Sequence, residues 1–207
     1  MTRRSRDSGQ AFAIYITVVA SLLVLAFLYF AVGQASASRN EAQSAADAAA
    51  LAAAQDARDQ LGLEGLGEKL LDPDFWEDFF NGDGVKVGFA CAEAGRFAAQ
   101  NGANVVDLDG DGDAGCDRLG LPEDGFTIEV RAKEPVGKSL LPGTENEYAE
   151  ATATAVIEPR CKFEKTGEGK KARGKLVCDD DKDWELGDKP GIDLPGPEDL
   201  FAVHLDD

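Results

Sequence analysis

Asp107-Leu108-Asp109-Gly110-Asp111-Gly112-Asp113 places a carboxylate at every second position around turn-forming glycines. Oxygen ligands gather around a calcium ion in this pattern. Counted from Asp107, positions one, three and five are aspartate and position six is Gly112, as in an EF-hand loop. Position twelve is Arg118, where a bidentate glutamate belongs, which argues against a full EF-hand. Two readings stay open: a looser calcium site on Asp107, Asp109, Asp111 and Asp113, or a polar Asp/Gly turn between strands. Other chemistry is sparse. The single histidine, His204, lies near the C-terminal end, and no GxSxG or HExxH pattern occurs. The chain is expected not to be an enzyme and to need no cofactor beyond that calcium ion.

Cys91, Cys116, Cys161 and Cys178 allow three pairings. None forms a CxxC pair, so neither a zinc site nor a redox motif is expected. Sequential pairing, Cys91 with Cys116 and Cys161 with Cys178, closes the short loops and is the expected arrangement. Each bridge would stabilise the fold by about 3 kcal/mol.

These residues hang from an unusual N-terminal half. Ala11 to Val32 is 22 residues without a charge. At about 1.5 Å per residue a helix of that length spans roughly 33 Å, enough to cross a bilayer. A backbone in hydrocarbon must satisfy its amides internally, which requires a helix. Tyr15 and Tyr29 lie near the ends of the run, where amphipathic rings favour the interface. Arg3, Arg4 and Arg6 precede it, so the positive-inside rule keeps residues 1–10 cytoplasmic and exports the chain beyond the span. A cleavable signal ending at Ala35-Ser36-Ala37 is the rival reading, but its apolar region would be shorter than this one.

Residues 33–61 read as a second helical segment rich in alanine, the best helix former. Ala42, Ala45, Ala46, Ala49 and Ala53 fall on one face at three-to-four spacing, and Asp47 sits among them. Such a face lets another backbone approach closely but buries little area alone. It needs a partner, either the downstream domain or another subunit.

Residues 62–178 read as an α+β domain. Asp72 and Pro73 start a short helix carrying Phe75, Trp76, Phe79 and Phe80, an aromatic cluster able to seed a core. Phe89 to Asn101 reads as a helix, and Ala103 to Leu108 as a short strand. Phe126 to Lys133 and Tyr148 to Ile157 alternate apolar with polar residues, as strands with one wet face do. Cys161–Cys178 would staple a hairpin whose tip, Gly167 to Gly174, lies among Lys165, Lys170, Lys171, Arg173 and Lys175. That basic patch is a solvated loop or a contact for an acidic surface polymer or another subunit. Residues 179–207 are acidic and proline-bearing and read as a mobile tail, although its closing Leu200-Phe201-Ala202-Val203-His204-Leu205 is apolar enough to dock. The fold class expected is α+β: a long N-terminal helix, transmembrane and continuing outside, packed on a small antiparallel sheet.

Lys plus Arg number 21 against 39 Asp plus Glu, a net charge of −18. Phosphate backbones would repel such a chain, so nucleic acid is excluded as a partner.

Ser8-Gly9-Gln10-Ala11, the single apolar span, and Arg39 to Ala54 with its Gln43-Ser44-Ala45-Ala46-Asp47-Ala48-Ala49-Ala50-Leu51-Ala52-Ala53-Ala54 run resemble the N-terminal segment of TadE/TadG-like proteins of tight-adherence (Flp) pilus assembly. Cys91 to Ala103, followed by alternating strands, is similar to their exported part. The resemblance implies a single-pass protein of the cell membrane with an extracytoplasmic domain. It further implies a minor pilin-like or accessory role beside other pilus or secretion subunits. Precursors cut by a prepilin peptidase carry glutamate five residues after the cleavage glycine. Here Ile14 stands five residues after Gly9, which favours the uncleaved, TadG-like role. The alternative is a membrane-anchored extracellular binding module stabilised by calcium.

Overall fold

A computed structural model describes residues 10–63, 69–70, 72–110, 112–119, 124–136, 146–166, 173–179, 182–186 and 194–206. The first helix, α1 (Gln10–Asp59), is 50 residues long, about 75 Å at the helical rise. The two expected helical segments are one. Gly33 falls inside α1, and a Cβ built there meets nothing within 4 Å. No proline interrupts it, and alanine carries the helix onward.

α1 has two surroundings. Its apolar part stands free of the rest of the molecule, and burial begins at Ala42. From there Ala45, Ala46, Ala49, Ala50, Ala53, Ala54 and Ala57 are all wholly buried. They meet α3 (Val87–Gln100), whose own Ala90, Ala94 and Ala98 are wholly buried. Alanine against alanine brings two helix backbones close. The pair lies on a five-stranded antiparallel sheet built from β1 (Ala103–Val105), β2 (Cys116–Arg118), β3 (Asp124–Pro135), β4 (Tyr148–Pro159) and β8 (Phe201–Leu205).

The strand order is β1-β3-β4-β8, with β2 also pairing β3. Phe126, Ile128 and Val130 of β3 stand opposite Ala155, Ala153 and Ala151 of β4, and these six side chains form the face turned to the helices. The opposite face is wet. There Thr127 pairs with Thr154 through their hydroxyls at 2.9 Å, and Arg131 donates to Glu150 at 2.7 Å. Strict alternation thus puts one face in the core and one in water.

A second sheet, β5 (Cys161–Thr166), β6 (Arg173–Cys178) and β7 (Asp183–Leu186), follows β4. Cys161 and Cys178 are directly opposed in its register and form a disulfide with Cα atoms 4.0 Å apart. The other bridge joins Cys91 of α3 to Cys116 of β2. Both pairings are the sequential ones expected.

α2 (Pro73–Phe80) starts as its sequence predicts, with Pro73 in the first turn and Asp72 accepting from the Asp74 amide at 3.1 Å. Trp76, only 1% exposed, stacks on Phe163 of β5 with ring centroids 5.6 Å apart. Phe79 meets Phe201 of β8 at 5.6 Å. The aromatic cluster therefore ties α2 to both sheets.

The expectation of a mobile tail is corrected by the structure. Residues 179–207 supply β7, the short helix α4 (Pro197–Leu200) and β8. Leu200 and Phe201 are buried, and β8 pairs with Ala155 to Pro159 of β4. The acidic residues lie around a short apolar segment whose anchoring is tertiary, through Phe79, Phe80 and β4.

Candidate functional site: the apolar helix and the domain it enters

Every side chain described from Phe12 to Phe30 is exposed, Phe12 at 68% and Tyr29 at 84% among them. An apolar helix inside a soluble core would be covered by its own protein; this one is not. The stretch is long and apolar enough to cross a membrane. Its threonine and serine hydroxyls are turned back on the helix: Thr17 Oγ1 donates to the Ala13 carbonyl at 2.8 Å and Ser21 Oγ to the Thr17 carbonyl at 2.7 Å. Hydroxyls satisfied in this way can face hydrocarbon without an orphaned donor. Nine residues, 33–41, separate Val32 from Ala42, roughly 15 Å of mostly exposed helix.

The proposed contact face, Ala42, Ala45, Ala46, Ala49 and Ala53, is brought together as one stripe, but it is covered by α3 and the sheet of the same chain. Of the two partners open to it in sequence, its own domain is the one it meets. Asp47 stands at the edge of this stripe, half-buried, and accepts from Gln43 Nε2 at 2.8 Å. Gln43, which has the look of a plain exposed residue, also reaches the Thr152 carbonyl of β4 at 3.4 Å. Gln43 and Asp47 line a groove with Thr152, Ala153, Thr154, Leu205 and Asp206.

In the acidic loop the described aspartates take different roles. Asp107 accepts from the Gly110 amide at 2.5 Å through Oδ1 and from the Gly112 amide at 3.1 Å through Oδ2. Asp113 accepts from the Gly115 amide at 2.6 Å. Asp111 lies outside the described residues. Among the described residues, the group that can converge on an ion is Asp107, Asp109 and Glu129, whose oxygens lie within 4.8 Å of one another. Glu129 is a residue the loop's own pattern does not name; its signal was the polar position of an alternating strand directly across from the loop. Its Oε2 also accepts from the Leu108 amide at 2.6 Å, so two of these three carboxylates brace the loop backbone. β1 and β2 flank the loop, not helices, and Arg118 is engaged with Asp124 and the Gly82 carbonyl. That geometry is not an EF-hand.

Of the basic hairpin, Lys170 and Lys171 lie outside the described residues. Lys165 is exposed. Lys175 is paired with Asp183 at 2.5 Å, and that hydrogen bond raises its pKa above the usual lysine value. His204 is exposed on β8 opposite Val156.

Comparison with known families places a name on the first part of the chain. Residues 9–56 match the family model described as "Putative Flp pilus-assembly TadE/G-like". The match takes in the exposed apolar helix and nearly all of the alanine stripe, under a quarter of the 207 residues. No curated protein and no solved structure matches the chain.

Proposed function

We propose that this chain is a single-pass membrane-anchored component of a TadE/TadG-type pilus-assembly or secretion system, acting as a minor pilin-like or accessory subunit. Its N-terminus is cytoplasmic and its α+β domain extracytoplasmic. The observation that carries the reading is the coincidence of the family match with one continuous helix, exposed and apolar at one end and built into a domain core at the other. Two disulfides suit a domain outside the reducing cytoplasm. The arginines before the span favour the same orientation. The family is one of pilus assembly and not of enzymes, so no catalytic role is assigned.

A reporter fused after Asp207 tests the orientation: it should be active only outside the cytoplasm, and the intact protein should remain with membranes after an alkaline wash. Intact protein in the wash supernatant would remove the anchor. A mature N-terminus at Ser38 would show a secreted protein released from a signal peptide. Deleting the gene should then abolish pili or secretion in the host. A second reading, an anchored binding module gripping a surface polymer with calcium bound, draws on the Asp107, Asp109 and Glu129 cluster. It would be favoured by a calcium-dependent rise in thermal stability with pilus output unaffected by the deletion.

A further inference from the structure

The two outer edges of the larger sheet are finished differently. On one side β3 is paired end to end by two strands, β2 opposite Phe126 to Ile128 and β1 opposite Val130 to Ala132. On the other side β8 pairs with Ala155 to Pro159 of β4. Among the described residues no strand pairs with that edge of β4 from Glu150 to Thr152. The amide of Asp206 still reaches the Thr154 carbonyl at 3.0 Å, which fixes the direction of the peptide groups. In an antiparallel ladder they alternate sides. Even-numbered residues of β4 therefore aim their N–H and C=O groups away from β3, and Glu150 and Thr152 aim theirs at the open edge.

This edge forms one wall of the groove that Gln43, Asp47, Leu205 and Asp206 complete. Among the described residues, the side chain bonded to the peptide groups of this edge is Gln43, whose Nε2 donates to the Thr152 carbonyl at 3.4 Å, a long bond that an incoming amide can replace. Open strand edges are templates for another strand. The groove also selects by charge. Asp47 and Asp206 lie on it, and the whole chain carries −18. A second copy would bring the same negative charge to it.

We propose that the edge of β4 at Glu150 and Thr152 takes up an extended, lysine- or arginine-bearing segment of another polypeptide, which joins the sheet end to end with β8 in the groove between α1 and β4. Backbone hydrogen bonds would hold the segment, and Asp47 and Asp206 would favour its basic side chains. The site is independent of the reading as a pilus or secretion subunit, and its test uses no pilus readout.

The full-length protein in detergent micelles is mixed with a blocked seven-residue peptide of alternating lysine and valine. Amide hydrogen exchange is then followed residue by residue. In the free protein the Glu150 and Thr152 amides should exchange faster than those of Ala151 and Ala153, which face β3. The peptide should slow Glu150 and Thr152 by about tenfold or more. The same peptide with alternate amides N-methylated keeps its charge but lacks those donors, and should give no such protection. A glutamate–valine peptide should bind about tenfold more weakly at low salt. Thr152→Pro, which removes an amide the sheet does not use, should abolish the protection. Should that variant not fold, Asp47→Asn combined with Asp206→Asn should weaken lysine-peptide binding and flatten its salt dependence. Equal protection of all four amides in the free protein would overturn the proposal. So would equal protection by the N-methylated peptide, or protection that grows with protein concentration alone.

Discussion

Arg118 and Asp124 face each other as a fork: Nε donates to Oδ1 at 2.8 Å and Nη2 to Oδ2 at 3.0 Å. The same Nη2 donates to the Gly82 carbonyl at 2.9 Å. One side chain thereby ties β2, the start of β3 and the turn between α2 and α3. The hydrogen bond to Asp124 is the first cause of the raised Arg118 pKa, with burial opposing it. A raised cationic pKa adds stability below its unfolded value and loses it as pH rises through the folded one. For Arg118 that window lies far above neutrality, so its contribution should not vary around pH 7. Arg118→Lys keeps the charge but cannot form the fork, and should cost about 1–3 kcal/mol in chemical denaturation. Gly82→Ala should also destabilise. Gly82 has φ of +75°, and its Cβ would run into the Asp124 carboxylate and the Arg118 guanidinium. An unchanged midpoint for both variants would show that the fork does not brace this corner.

Ala49 is wholly buried between α1 and the rest of its own domain. Leucine there adds bulk where two backbones approach, and overpacking of this kind costs about 1–3 kcal/mol. The expected defect in Ala49→Leu is a lower unfolding midpoint of the domain, with membrane insertion preserved. Gln55→Ala, at an exposed position of the same helix, should be neutral and is the control. Gln43 cannot serve as one, because it bonds both Asp47 and Thr152. A wild-type midpoint for Ala49→Leu would mean that α1 and α3 leave room between them for a larger side chain.

Local patterns carried most of this fold, and tertiary contacts carried the remainder. The capped start of α2, the alternation in β3 and β4 and the alanine stripe are short-range signals, and each element stands where its pattern puts it. β2 is three residues, Cys116-Asp117-Arg118, with no alternation to read; pairing with β3 and the bridge to Cys91 hold it. The apolar Leu200 to Leu205 shows in sequence as a segment able to dock, but where it docks, as β8 on β4 with Phe201 buried against α2, is set only by tertiary contacts. The same limit explains Glu129, which reaches the acidic loop from 21 residues away.

The two disulfides should differ in what they protect. Cys161–Cys178 joins neighbouring strands of one hairpin, whereas Cys91–Cys116 joins α3 to β2 across the acidic loop and β1. Chain entropy assigns each about 3 kcal/mol. Cys161→Ala with Cys178→Ala should speed hydrogen exchange chiefly in β5 to β7. Cys91→Ala with Cys116→Ala should do so in β2 and the loop before it. Peptide mapping without reductant should recover both native pairs. A crossed pair, or identical exchange patterns in the two double variants, would contradict this division.

Asp107 is positioned either to brace its loop or to hold an ion, and the two roles respond differently to calcium. Both its oxygens accept backbone amides of its own loop, from Gly110 and Gly112, and Glu129 accepts a third from Leu108. Two carboxylates thus hold the loop between β1 and β2 in shape. Gly115 supports the same shape: its φ is +77°, and a Cβ there would strike the Val106 carbonyl. If bracing is the role, Asp107→Ala should destabilise by about 1–3 kcal/mol, the range for hydrogen bonds to a charged group. Asp107→Asn, which keeps one acceptor oxygen, should lose less. Chelator should leave the wild-type melting temperature unchanged, and added calcium should not raise it. A stabilisation that grows with the logarithm of calcium concentration, as linkage requires of a ligand bound only to the folded state, would instead assign Asp107, Asp109 and Glu129 to an ion. Asp109→Ala separates the two roles further, since a calcium-dependent midpoint should vanish in that variant.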